Sequence, residues 1–472
     1  MSDDVPERSV PERSAPGTSV AELREARHPV RIVHLGLGAF HRAHQAWYTQ
    51  LANDLGAEPG WGIAAFTGRS PAAAEALHAQ GETYSLIERG AFGDTATVIE
   101  SISAAVPGTD FARWRAHFAD PAVALVTLTI TEVGYRLGQN GGLDLGDPEV
   151  AGDILRVGAG EPAVTAPGRL ADGLRARMLA GAGPIAIVSC DNLAGNGEAT
   201  RAAVLGVVGG ELAHWIEQNV SFVSTMVDRI TPATTADDRA IAERLIGATD
   251  AVPVVTEPFS EWVLAGAFPA GRPAWDRVGA RFVDDVAPFE RRKLWLLNAA
   301  HSLLAYRGLL HGHSTVDEAM LDPDCADAVE QLWAEARAML PFADAELDHT
   351  LDALRERFGN PRIRHLLAQV AADGAKKLGP RIIDPVRARL AAGLSAGDAE
   401  LGVLAAWALH LSTDDRRDPL AADLAESLDG LGSAERAAAV LAFLAPDLTE
   451  LAGPLAEQIE QLTVSYQGAP PA

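Results

Sequence analysis

Lys293, Asn298 and His301 stand in the stretch KLWLLNAAHSLLAY, residues 293–306, which is otherwise dominated by Leu, Ala and Trp. With no Pro or Gly, the stretch reads as a largely buried helix. At about 100° per residue, Asn298 lies about 140° around from Lys293 and His301 about 80°, so the three polar groups share one arc. A buried lysine is costly unless it is paired or its pKa is lowered. A packed helix with one snorkelling lysine and a satisfied core His and Asn would give the same pattern.

A second stretch, HLGLGAFHRAH at 34–44, sets Gly36 and Gly38 between a predicted strand and a helix predicted through FHRAHQAWYTQLAND, with Phe40 and His41 at the start of that helix. In that setting backbone amides and a helix N-terminus approach a pyrophosphate, so these four residues are the candidate cofactor contacts. The pattern is G-x-G-x-x-H, with His41 at the third glycine position. An acidic residue at the end of the second strand would grip the adenosine ribose of NAD. Here Arg69, Ser70, Pro71 and Ala72 stand at that point, and the nearest acid is Glu75. Arg69 and Ser70 are the candidates at this end. Arg69 would suit a 2′-phosphate, which leaves NADP open beside NAD.

TLTITEVGY (127–135), SCDNLAGNG (189–197) and VDRITP (227–232) each follow a strand-like run. They place Glu132, Asp191, Asn192 and Asp228 at strand carboxyl ends, where sites form in open α/β sheets. Ordinary turn chemistry also uses Asn, Asp and Gly. The sequence lacks H-E-x-x-H, a Cys cluster, G-x-x-x-x-G-K-[ST], G-x-S-x-G and a Tyr-x-x-x-Lys pair. A dehydrogenase built on this chain would therefore need another base, and Lys293 is the candidate; no metal is expected.

Positioning these residues calls for two kinds of domain. From about residue 30, β-like runs (RIVHLGLG, WGIAAF, VALVTLTI, PIAIVSC) alternate with helical ones, predicting an α/β domain with a mostly parallel sheet. Near residue 285 the composition turns Ala/Leu/Glu/Arg-rich and helical. The expected organisation is a disordered tail over 1–28, carrying the tandem VPERS, a Rossmann-type domain over 29–285, and a mostly helical domain over 286–472. A formal net charge of −25 argues against nucleic acid or an anionic membrane surface as partner. Only Cys190 and Cys325 occur, as suits a reducing cytoplasm.

Together the motifs resemble one family, the polyol-specific long-chain dehydrogenases, which includes mannitol 2-dehydrogenases, fructuronate and tagaturonate reductases and mannitol-1-phosphate 5-dehydrogenases. GLGAFHRAHQAWY, TLTITEVGY, SCDNLAGNG, FVSTMVDRITP, EPFSEWVLAGAFPAGRPAW and FVDDVAPFERRKLWLLNAAHS look like its signatures, in order, thinning to AADGAKKLGPRI at 371–382. The resemblance implies a Rossmann-type α/β domain followed by a mostly α-helical C-terminal domain, NAD as cofactor, and a monomer. It implies Lys293 as the general base, Asn192 and Asn298 as donors to the developing alkoxide, and His301 as the residue that positions the substrate hydroxyl. It further implies Glu132 as an acid that passes the proton on, Asp228 as support for the lysine, and Lys377 as a substrate contact; nearby, the charges of Lys376 and Arg381 suit a carboxylate or phosphate. Mannitol oxidation to fructose is the default reaction. The alternatives are hexuronate reduction, mannitol 1-phosphate oxidation and, in a different class, a catalytically silent dinucleotide-binding module. Two departures from the mannitol 2-dehydrogenases stand out: Pro71-Ala72 replaces Glu-Asp, and Gln369 replaces an Arg.

Overall fold

A computed structural model describes residues 18–25, 27–56, 60–138, 141–414 and 416–467. Two compact units divide the chain, the first ending at Ala287 and the second starting at Pro288; the composition shift had suggested residue 285.

Among the described residues, the first unit is built on eleven strands: β1 Val30–Leu35, β2 Gly62–Phe66, β3 Tyr84–Gly90, β4 Gly93–Ile99, β5 Ile102–Val106, β6 Leu125–Leu128, β7 Ile185–Ser189, β8 Val220–Asp228, β9 Val254–Thr256, β10 Glu261–Ala265 and β11 Arg281–Phe282. Eight of them form one sheet in the order β11-β10-β8-β7-β6-β1-β2-β5, in which only the β8–β10 pair is antiparallel. The other three make a small sheet, β4-β3-β9.

Every residue of β2, β6 and β7 is buried, as expected where helices cover both faces of a parallel sheet. Alternate residues feed two cores. Val33, Leu35, Val126 and Leu128 pack with Trp114 and Phe118 on one face, while Ile32, Leu125 and Val188 pack with Tyr48 and Trp262 on the other. From β1 the chain continues to β2 on one side and returns later as β6 on the other. The carboxyl ends of β1 and β6 therefore flank a switch point of the kind where ligands bind.

The second unit is helical. Ala299–Leu310, Pro323–Arg337, Asp344–Phe358 and Asp398–His410 pack around Tyr306, Trp333 and Trp407. Among the described residues no helix is long and apolar enough to cross a membrane.

The structure differs from the sequence reading in three places. The helix expected through FHRAHQAWYTQLAND breaks at His44 into Ala39–Ala43 and Gln45–Asp54. The helix expected through KLWLLNAAHSLLAY opens with a π-turn, Lys293–Asn298, before regular α-helix resumes at Ala299. The expected tail is also too long. Residues 1–17 lie outside the described residues, but Val20 is wholly buried in a turn capped reciprocally by Ser19 and Glu22. Arg24 then donates to the carbonyls of Gly81 at 2.6 Å and of Glu100 and Ile102 at 3.0 Å. The capping box and these backbone bonds anchor a segment whose composition looked unstructured.

Candidate active site

In the first unit, β1 ends in a cradle. The Gly36 and Leu37 N–H groups both donate to the Phe66 carbonyl at 2.9 Å, which turns the chain sharply across the end of β2. Gly36 has φ +114°, and a Cβ placed there would fall 2.2 Å from the Thr129 carbonyl oxygen. No other residue fits, and the bare backbone lets a ligand approach. The cradle opens into a crevice of about 740 Å³ whose wall includes Gly36, Arg69, Gly108, Thr129, Arg136 and Thr165. These residues come from the segments that follow β1, β2, β5 and β6 and from the start of the helix Ala166–Ala180. The glycine cradle and switch-point location fit a dinucleotide.

Of the six cofactor candidates, Gly36 and Arg69 lie on this wall, and Gly38, Phe40, His41 and Ser70 do not. Gly38 precedes the short helix Ala39–Ala43. The Phe40 ring stacks on His44 at 5.1 Å, and Ser70 Oγ accepts from the Ala72 N–H at 3.3 Å. The reading of His41 as a cofactor contact is corrected. Its ring is wholly buried and stacks on His34 with centroids 3.3 Å apart, and burial holds its pKa well below the usual histidine range. At the third glycine position, a neutral buried imidazole packs the helix against β1.

Glu132, Asn192 and Asp228 follow or close β6, β7 and β8, which are neighbours in the sheet. Glu132 and Asn192 are exposed, and Asp228 is buried. Asp191 lies between them in sequence, and the Tyr135 hydroxyl donates to its carboxylate. Burial pushes the Asp191 carboxyl up to about 6, with the Tyr135 bond pulling it down and the Glu132 charge pushing it up. The loop is anchored by Asn196, whose amide donates to Thr225 O at 2.9 Å and accepts from Thr225 N–H at the same distance. Tyr135 was not singled out from the sequence, because a buried tyrosine at the end of a short turn looks like core.

In the second unit the π-turn organises the site. The Ala299 N–H donates to Leu294 O, five residues back, so residues five apart come nearly into line. Lys293 and Asn298 are such a pair, closer in rotation than an α-helix would set them. π-Turns are rare and recur at functional sites. Trp333 Nε1 satisfies one turn carbonyl, Leu296 O, at 2.9 Å. Lys293 and Asn298 are part-exposed and His301 is buried. The His301 ring packs on Phe358 at 4.7 Å and His365 at 4.9 Å, and its Nε2 has no partner among the described residues. Burial drives its pKa well down, helped by His365, Arg357, Arg381 and Lys293, so it stays neutral.

Arg381 Nη1 donates to the Asn298 carbonyl at 3.3 Å and to Ser302 Oγ at 3.0 Å. It sits in a second π-turn, Gly379–Ile383. Lys377 donates to the carbonyls of Val370 at 3.3 Å and Ala372 at 2.5 Å, and burial lowers its pKa. Lys293, Asn298, His301 and Arg381 are thus brought to one place, while Lys377 is tied to backbone. Elsewhere in this unit His311, Asp322 and Cys325 hold ligand-type atoms within 4.8 Å of one another. Both His311 and His313 already bond Asp322, which caps the helix Pro323–Arg337, so the cluster is a hydrogen-bonded turn.

Residues 30–277 match the mannitol dehydrogenase Rossmann domain, and residues 285–463 match the mannitol dehydrogenase C-terminal domain. The D-mannonate oxidoreductase of Escherichia coli (strain K12) is 37% identical over 459 residues, 93% of this chain and 92% of that protein. The D-arabinitol 4-dehydrogenase of Ralstonia nicotianae is 39% identical over 374 residues, 77% of this chain and 79% of that protein. Among solved structures, Pseudomonas fluorescens mannitol 2-dehydrogenase, in ternary complex with NAD and D-mannitol, superposes with a TM-score of 0.78 at 32% identity, covering 96% of this chain and 94% of that one. This chain belongs to the mannitol dehydrogenase family and is an oxidoreductase.

Proposed function

We propose that the protein transfers hydride between a nicotinamide dinucleotide, NAD by default, and a secondary alcohol carbon of an open-chain sugar derivative, with mannitol and fructose as the default pair. The reading is carried by the π-turn that sets Lys293 and Asn298 at its two ends, five residues apart on a wider helical turn. The bound nicotinamide supplies the hydride acceptor at C4. Lys293 takes the alcohol proton, Asn298 and Asn192 donate to the oxygen as negative charge builds there, and His301, held neutral, orients the hydroxyl. The family resemblance assigns Glu132 to passing the proton on and Asp228 to supporting the lysine. The composition and the two cysteines accord with a cytoplasmic enzyme, and the family resemblance with a monomer.

A second substrate reading is favoured by the charges around His301. Lys293, Arg357 and Arg381 all act on that ring, in a protein whose net charge is −25. Cations gathered there suit a substrate carrying a carboxylate, as in the D-mannonate and fructuronate pair, and the mannonate oxidoreductase likeness over 93% of the chain accords with it. Steady-state reduction of D-fructose and of D-fructuronate, each with NADH and NADPH, separates the two. Faster fructose turnover supports the first, preference for fructuronate supports the second, and turnover of neither or of both only at background rates overturns both.

A further inference from the structure

Near the adenosine end of the crevice, the chain lacks a carboxylate on the segment after β2, where Arg69, Ser70, Pro71 and Ala72 stand. A carboxylate arrives from elsewhere. Glu149 lies in the first turn of the helix Pro148–Ala159, in the segment that follows β6. Its Oε2 accepts from Arg69 Nη2 at 3.3 Å and also from Arg136 Nη2. Both arginines line the crevice, and among the described residues its wall carries no carboxylate.

The arrangement is held firmly on one side. Arg136 also bonds Asp147 Oδ2 at 2.7 Å, and Asp147 caps the helix through the N–H groups of Glu149 and Val150. Arg136 carries φ +55°, a left-handed conformation that costs a non-glycine residue free energy unless the surroundings enforce it. The Glu149 side chain is 48% exposed, so its carboxylate is open to a ligand as well as to the arginines.

We propose that Glu149 is the cofactor-selecting carboxylate of this chain. It stands in for the acid missing after β2, accepts from the adenosine ribose hydroxyls of NAD, and, by engaging Arg69 and Arg136 itself, keeps them from a 2′-phosphate. This rests on the reading of the crevice as a dinucleotide site. A 2′-phosphate would bring like charge against Glu149 while its natural partners, the two guanidiniums, remain committed.

The test is equilibrium binding of NAD⁺ and NADP⁺ to the purified full-length protein, followed by calorimetry, for the wild type, Glu149→Gln and Glu149→Gln combined with Arg69→Ala. Glu149 is part-exposed on a helix surface, so Glu149→Gln is expected to fold; matching circular dichroism spectra check this, and Glu149→Ala provides a second variant. The wild type should bind NAD⁺ more tightly. Glu149→Gln should shift the NADP⁺-to-NAD⁺ affinity ratio toward NADP⁺ by about tenfold or more. Adding Arg69→Ala should remove most of that gain. An unchanged ratio in both Glu149 variants, or a wild type that already prefers NADP⁺, overturns the role of Glu149 while leaving the crevice assignment standing. If neither dinucleotide binds the wild type, the crevice assignment falls, and the role of Glu149 with it.

Discussion

Arg381 donates through Nη1 to the backbone carbonyl of Asn298, 3.3 Å away, and so ties one π-turn to another. The bond fixes the end of the turn from which the Asn298 amide projects, and it brings a cation beside His301. Replacing Arg381 with Met should lower kcat/KM for every substrate, because Asn298 loses its anchor. If the substrate carries a carboxylate, KM for D-fructuronate should rise about tenfold more than KM for D-fructose. Equal losses for the two substrates would leave Arg381 as a positioning residue only.

Gly36 offers a test of the cradle. An Ala there needs φ +114° and places Cβ 2.2 Å from the Thr129 carbonyl oxygen, a backbone atom that cannot swing away. Gly36→Ala should weaken NAD⁺ binding about tenfold or more and lower the thermal midpoint. Wild-type affinity measured by calorimetry would contradict the cradle as the phosphate approach.

Asp191 makes stability depend on pH. Its carboxyl is raised to about 6 from the model-compound range by burial, so the folded state binds its proton more tightly than the unfolded chain does. The stabilisation is complete below about pH 4 and is lost as pH rises through about 6. Asp191→Asn cannot ionise, so its thermal midpoint, relative to wild type, should rise across that window. A difference that stays flat from pH 4 to pH 7 would contradict the assignment.

Glu400 gives the same sign in the second unit. It is wholly buried, and burial together with the Glu335 charge raises its carboxyl to about 7 from 4.5. Its stabilising contribution is present below about pH 4.5 and lost as pH passes about 7. Glu400→Gln should match wild type near pH 5 and exceed its thermal midpoint by about 2–4 °C at pH 8. No gain at pH 8 would show that the ionised carboxylate is accommodated without cost.

The parallel sheet was legible because its strands are continuous apolar runs such as VALVTLTI and PIAIVSC, each ending in turn residues. The polar triplet of KLWLLNAAHSLLAY was legible from residue type, but the π-turn was not. A five-residue hydrogen bond leaves no mark in composition, and an α-helical period places Lys293 and Asn298 too far apart in rotation. His41 looked like a ligand contact because sequence cannot tell which side of a helix meets β1; its stacking on His34 decides that. Glu149 lay outside any motif, since its pairing with Arg69 spans 80 residues and depends on where two strand ends meet.

Lys293→Ala tests directly whether the proposed base, Lys293, takes the alcohol proton. Turnover of the preferred ketose with reduced cofactor should fall by about a hundredfold to ten-thousandfold, while the dissociation constant for that cofactor stays close to wild type. A variant that retains wild-type turnover would rule Lys293 out as the base, because the proton would then be moving through another group.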